Sequence, residues 1–130
     1  MRWEVRFYRE EDGSMPVADF FKLPSSIGIT RAEQRKFLAR LERIGDHGLG
    51  LLQRESDILE KLRGEENLFS LRLLTHNNPR IIACALPRQR CIVLLHAFKE
   101  KNRRDYDRAI TTARRRRDLV VADPRHRVAR

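Results

Sequence analysis

The chain has 130 residues, 41% of them apolar, and a net charge of +10, which suits one domain with a core of its own. It contains no apolar run of the ~18 residues that a membrane span needs, and the stretch Met1–Ser14 lacks the apolar core of a signal peptide, so the expected location is the cytoplasm with no membrane partner. Two cysteines, Cys84 and Cys91, make neither a metal-ligand spacing nor a disulfide framework, and no metal or cofactor is expected.

In chain order, RWEVRFY alternates Trp3, Val5 and Phe7 with Arg2, Glu4 and Arg6, the period of a half-buried strand. REEDGSMP is a polar loop. Pro16, a good first helical residue, opens a short helix that Leu23-Pro24 ends. The next helix is the clearest: Thr30 and Glu33 form a capping-box pattern, Phe37, Leu38, Leu41 and Ile44 share a face, and Gly45 or Gly48 stops it. Residues 49–66 read as an irregular linker with one helical turn at Ile58–Leu62. NLFSLRLLT then sets Phe69, Leu71 and Leu73 on one strand face and Ser70 and Arg72 on the other. HNNP is a turn. RIIACAL and CIVLLHAF are strands joined through PRQR, which brings Cys84 and Cys91 nearly opposite each other as small buried thiols. A final helix presents Tyr106, Ile110 and Ala113 along a narrow apolar face and ends in the charge run ARRRRDLV. The order β–α–α–β–β–β–α predicts an α+β fold: a small antiparallel sheet, two N-terminal helices on one face, and a C-terminal helix. Residues 1–117 form the expected domain, and 118–130 a basic, flexible tail.

The charge is unevenly placed. Residues 1–66 carry 12 Lys+Arg and 13 Asp+Glu, whereas residues 67–130 carry 16 and 5. No carboxylate occurs between Asn67 and Lys99. Such a split points to a polyanionic partner, nucleic acid or an acidic protein. The chain has no Gly-rich phosphate loop, paired-carboxylate site or His/Cys metal set, which argues against a kinase, a glycosidase or a metallohydrolase.

Taken together, PVADFF, the helix ending in ERIGDHG, EKLRGEENLFSLRL, RIIAC, LLHAFKEK and AITTARRRR resemble the HigB-like branch of the RelE/ParE toxin superfamily over roughly residues 1–117. Two departures fall near the expected site: Ser70 stands where that branch has Glu, and Glu100 where it has the first of two lysines. A proline common after the lysines is Tyr106 here. The resemblance implies a RelE-like fold and the toxin half of a type II toxin–antitoxin pair. It also implies ribosome-dependent, metal-free cutting of messenger RNA, with an antitoxin, of helix-turn-helix type, and the ribosome as partners. Relatives of the ParE type act instead on DNA gyrase. A gyrase inhibitor without an active site and a non-catalytic RNA- or DNA-binding module therefore stay open as alternatives.

Metal-free RNA cleavage needs an acceptor for the ribose 2′ proton, cations for the non-bridging oxygens, and a donor to the departing 5′-oxygen. Arg72 is the first candidate, because its strand's other face is apolar and a guanidinium fork fits a phosphate. Arg80, at the start of the next strand, joins it if the strands pair antiparallel. Lys101, at the strand-to-helix corner, is the candidate acid or base. Lys99, Arg103 and Arg104 are candidate phosphate ligands. His96 shares a strand face with Ile92, Leu94 and Phe98, so it is either a core residue or an acid–base group. Tyr106 either stacks on a base or packs on the sheet.

Overall fold

The computed structural model describes residues 2–22, 28–55 and 57–129. Its secondary structure begins with strand β1 (Glu4–Tyr8) and helices α1 (Pro16–Phe21) and α2 (Arg31–His47). A 3₁₀ turn (Gly48–Gly50), helix α3 (Leu51–Arg54) and strand β2 (Glu60–Lys61) follow. Strands β3 (Phe69–Arg72), β4 (Pro79–Leu86) and β5 (Cys91–Lys99) come next, then helix α4 (Arg103–Ala122), helix α5 (Pro124–Arg127) and strand β6 (Val128–Ala129). The expected stop at Leu23-Pro24 lies outside the described residues.

The six strands form one sheet in the order β2-β3-β4-β5-β1-β6. The pairs β3–β4 and β4–β5 are antiparallel, as the hairpin signals predict. β1, however, pairs parallel to β5, so the sheet is mixed rather than wholly antiparallel. The chain can reach that register because α1 and α2 carry it back across one face before β3 begins.

Each face of the sheet buries its own cluster. On one side Phe20, Phe21, Phe37 and Ile44 of α1 and α2 pack on Leu71, Ile81, Ala83, Ile92 and Leu94. On the other, Ala109, Ile110, Ala113 and Val120 of α4 pack on Ile82, Cys84, Val93 and Leu95. Full burial of a Leu, Ile or Phe is worth ~1.5–3 kcal/mol, so alternate residues of β4 and β5 stabilise opposite layers. Both thiols sit in the α4 layer; Cys91 pairs with Leu86 and Cys84 with Val93. Burial pushes the Cys84 thiol up to about 12, which keeps it protonated.

The cap of α2 is as the pattern predicts. Thr30 Oγ1 accepts from the Glu33 amide at 3.1 Å, and Glu33 Oε1 accepts from the Thr30 amide at 2.9 Å. Glu33 does more than cap. It is 4% exposed, and it also accepts from the Thr75 hydroxyl and from Asn77 Nδ2, tying the β3–β4 turn to α2. Burial raises its pKa, but these hydrogen bonds outweigh that, and the net shift is downward. Glu33→Ala is expected to lower the urea midpoint by an amount equal to ~2 kcal/mol, since it leaves two half-buried donors, Thr75 and Asn77, without their acceptor as well as uncapping the helix. At the other end of α2, Gly48 has φ +54, and a Cβ there would lie 2.3 Å from the Trp3 indole. Only glycine lets β1 enter the sheet at that point.

Two expectations fail in this frame. Residues Ile58–Leu62 form no helical turn; they enter β2, which pairs Glu60 with Ser70 and Lys61 with Phe69. Residues 118–129 are not a loose tail. α4 continues to Ala122 with Val120 buried, and β6 adds an antiparallel edge to β1 through Phe7–Ala129 and Tyr8–Val128. The chain folds back there because Val128 and Ala129 find apolar cover in an otherwise polar stretch. Within the run Arg114–Arg117, Arg114 and Arg115 are exposed and Arg116 and Arg117 are partly buried. Arg114 grips Glu65 through two hydrogen bonds of 2.7 and 2.6 Å, Arg117 donates to the Glu66 carbonyl, and Arg116 turns inward.

Candidate active site

Register builds the site. Arg72 lies directly opposite Arg80, and Arg80 directly opposite Phe98, so these three side chains form one row on the α4 face at the end of the sheet. The adjoining row is Glu60, Ser70, Ile82 and His96. The corner after β5 is fixed from α4: Asn102 Oδ1 accepts from the Asp105 amide, and Asp105 Oδ2 accepts from the Lys101 amide, both at 3.0 Å. This places Glu100 and Lys101 over the first row's end with little backbone freedom.

The two paired arginines differ sharply. Arg72 is exposed and opens onto a pocket of about 550 Å³ with Lys36, Arg40, Glu60, Ser70 and Leu74 on its walls. Arg80 is 5% exposed. Its Nε donates to Ser70 Oγ at 2.7 Å, and its Nη1 donates to both oxygens of Glu100 at 2.8 and 3.0 Å. Its guanidinium lies 5.1 Å from the Tyr106 ring centre, and that of Arg103 lies 5.4 Å from the same ring. Arg80 thus joins Arg72 in register, as antiparallel pairing predicts, but it is buried rather than open to a phosphate. The reason is that Ser70 and Glu100, the two departures seen in the sequence, both bind Arg80.

The remaining candidates divide. Tyr106 packs partly against the sheet and joins Arg80 to Arg103. Lys101 and Arg104 are exposed at the corner. Arg103 is exposed too, with Asp107 3.0 Å away. Lys99 pairs with Pro79 and so takes the opposite face from Phe98, where its ammonium borders Gly28. It does not join the row.

His96 also departs from its expected place. A bulge at Leu95 shifts the register between Ile82–His96 and Ala83–Leu94. The extra residue moves His96 from the face of Ile92 and Leu94 to that of Phe98, on which it stacks at 5.7 Å. Arg116 Nη1 closes it from above, 3.3 Å from Nδ1 and 2.8 Å from the Leu95 carbonyl oxygen. Burial first, and Arg116 second, push the imidazole down to about 4. At neutral pH it is an uncharged ring within the α4 layer.

Strand alternation and the turn signals are enough to find Arg72 and Arg80. Glu60, Lys36 and Arg40 carry no such signal: β2 is two residues long, and the polar face of α2 is indistinguishable from any solvated helix face.

With this geometry in place, the comparisons are informative. A family model described as Phage derived protein Gp49-like (DUF891) matches residues 18–118, from α1 into α4. The chain belongs to the Gp49-like family. Every candidate of the row and of the corner falls inside the span shared with that family. Among solved structures, the chain is similar to the Escherichia coli toxin RelE, seen as an arginine-to-alanine double mutant in the free state. The TM-score is 0.51 at 15% identity, over 85% of this chain and 97% of that one. The Gp49-like chain thus has a RelE-like fold. No curated protein matches it. None of its helices is long and apolar enough to cross a membrane, among the described residues.

Proposed function

We propose that this Gp49-like protein is the toxin of a type II toxin–antitoxin pair, of the HigB-like kind, and that it cuts messenger RNA on the ribosome with protein side chains as the acid, base and phosphate ligands. The observation that carries the reading is the cationic end of the sheet. Arg72 stands exposed on the last row of the sheet, opposite Arg80, and the corner that follows β5 adds Lys101, Arg103 and Arg104, all exposed, beside a half-buried tyrosine and a carboxylate. That set contains each group that 2′-hydroxyl attack requires. The fold shared with a protein described as a toxin gives the reading its biological frame.

The ribosome enters for a geometric reason. In-line attack needs the 2′-oxygen, phosphorus and 5′-oxygen aligned, and orientation alone is worth ~7–11 kcal/mol. The pocket beside Arg72 is open and walled mostly by charged side chains, so it binds backbone without imposing that alignment. The ribosome holds the strand in place, and the basic half, +11 over residues 67–130, docks on RNA backbone. The same charge favours fast capture by an acidic antitoxin segment.

Sequencing RNA 5′ ends after brief induction tests the reading. Discrete cuts within translated messages are expected, and purified protein should cut messenger only when translating ribosomes are present. Intact messenger alongside cleaved DNA–gyrase complexes would establish the gyrase-inhibitor alternative instead.

A further inference from the structure

Glu100 is the carboxylate at the corner, and its surroundings give it a part in the reaction. Both its oxygens accept from the same nitrogen of Arg80. The other nitrogens of Arg80 also face protein, Nε on Ser70 and Nη2 4.0 Å from Glu60, while its plane covers Tyr106. The Arg80 side chain is 6% exposed. Two of its three guanidinium nitrogens are committed to Ser70 and Glu100, and the side chain is almost wholly covered, so what Arg80 chiefly does is fix the groups it touches. Of these, Glu100 still reaches solvent, with its side chain 23% exposed. Lys101 follows it directly in the chain, and Lys101, Arg104 of the same corner and Arg72 of the same row as Arg80 are all exposed.

We propose that Glu100 is the general base of the cleavage reaction and that Arg80 is the positioning residue that aims it; the proposal rests on the ribonuclease reading above. The carboxylate takes the proton of the ribose 2′-hydroxyl as the 2′-oxygen bonds to phosphorus. The bond from phosphorus to the 5′-oxygen breaks, and that oxygen takes a proton from the Lys101 ammonium. The products are a 2′,3′-cyclic phosphate and a 5′-hydroxyl. Glu100 then gives its proton to water and Lys101 regains one from water, which closes the cycle. Arg72 and Arg104 hold the non-bridging oxygens. The step explains why this chain tolerates an acid where the resemblance leads one to expect a lysine. Ser70, in place of a glutamate, leaves Arg80 free to pair with Glu100.

Single-turnover cleavage of ribosome-bound messenger tests this, with ribosome affinity and melting temperature measured on the same proteins. Glu100→Gln keeps the size and an oxygen for Arg80 but cannot hold the proton. Its rate should fall ~100-fold or more, the usual worth of a general base, with ribosome affinity within about threefold of the parent. Glu100→Asp keeps the carboxylate one methylene back and should fall between the two. Arg80→Lys should slow the chemistry at unchanged affinity, and adding it to Glu100→Gln should cost little more, because both act through one group. A Gln variant that cuts within about threefold of the parent overturns the proposal and leaves the ribonuclease reading standing. A parent protein that leaves messenger intact overturns both. Should the Gln variant fail to fold, the Asp variant decides, and a rate equal to the parent's overturns the assignment. A double variant slower than Glu100→Gln by about tenfold or more removes Arg80 from the positioning role.

Discussion

Arg80→Ala is expected to lower the melting temperature by ~10 °C or more, while Arg72→Ala leaves it within ~2 °C, although the two residues face each other in register. The difference is one of surroundings. Arg80 is enclosed, and its removal strands the Glu100 carboxylate and the Ser70 hydroxyl at once. Taking one partner from a buried pair costs ~3–5 kcal/mol. Glu100 retains some access to water, which places the cost near ~3 kcal/mol. Arg72 makes no side-chain ion pair among the described residues, and Lys36 and Arg40 share its pocket. Asp57 and Glu60 line the same pocket and offset those two cations, so the loss of an exposed charge there changes stability little. The effect of Arg72→Ala belongs to the reaction instead, a slowing of ~100-fold if it stabilises the transition-state phosphate. Calorimetry and single-turnover cleavage on the same samples separate the two cases. An Arg80→Ala protein as stable as the parent would contradict the buried pair, and an Arg72→Ala protein of full activity would remove Arg72 from the site.

This contrast also marks how far the sequence is legible. Alternation is a local signal, and it finds β1, β3 and the face on which Arg72 stands. The apolar runs of β4 and β5 declare strands buried on both sides, and the turn between them sets their pairing. The partner of Arg80 is another matter. Glu100 lies 20 residues away, on the next strand but one step past its end, and no local pattern relates the two. The sequence shows Ser70 and Glu100 only as departures; the fold shows that they meet at one guanidinium.

The bulge is hidden for a different reason. Leu94 and Leu95 are both apolar, and both faces of β5 are covered, so slipping one residue offends neither layer. His96 therefore changes face with no trace in the hydrophobic pattern. β2 and β6 are two residues each, too short for a period to register. The arginine run hides one inward residue. Four consecutive residues point around the whole helix, so one, Arg116, must face the sheet. There it meets Glu10, the Leu95 carbonyl, His96 and the Tyr8 ring.

That inward cluster makes the fold sensitive to mild acid. The His96 imidazole is held at about 4 against an ordinary 6.5, first by burial and then by Arg116. The folded protein therefore resists a proton that the unfolded chain accepts. Stability is full above pH ~6.5, declines as pH falls toward ~4, and levels off below, because there both states are protonated. At 1.36 kcal/mol per pKa unit the loss amounts to ~3 kcal/mol over that window. Glu33 works in the same direction but lower. Its pKa is depressed from 4.5, so its contribution is lost only as pH falls below that value. The interval between pH ~5 and ~6.5 thus reports on His96 with little from Glu33. Urea midpoints taken across it should fall steadily in the parent and stay nearly flat in His96→Leu, which keeps the packing on Phe98 and removes the titrating ring. Arg116→Met should keep much of the slope, because burial, the larger cause, remains when the guanidinium is gone. A histidine resonance that titrates near pH 6.5 in the folded protein and assigns to His96 would refute the buried placement. So would a parent protein whose midpoint is constant from pH 7 to pH 5, because a ring open to water at the site would impose no such slope.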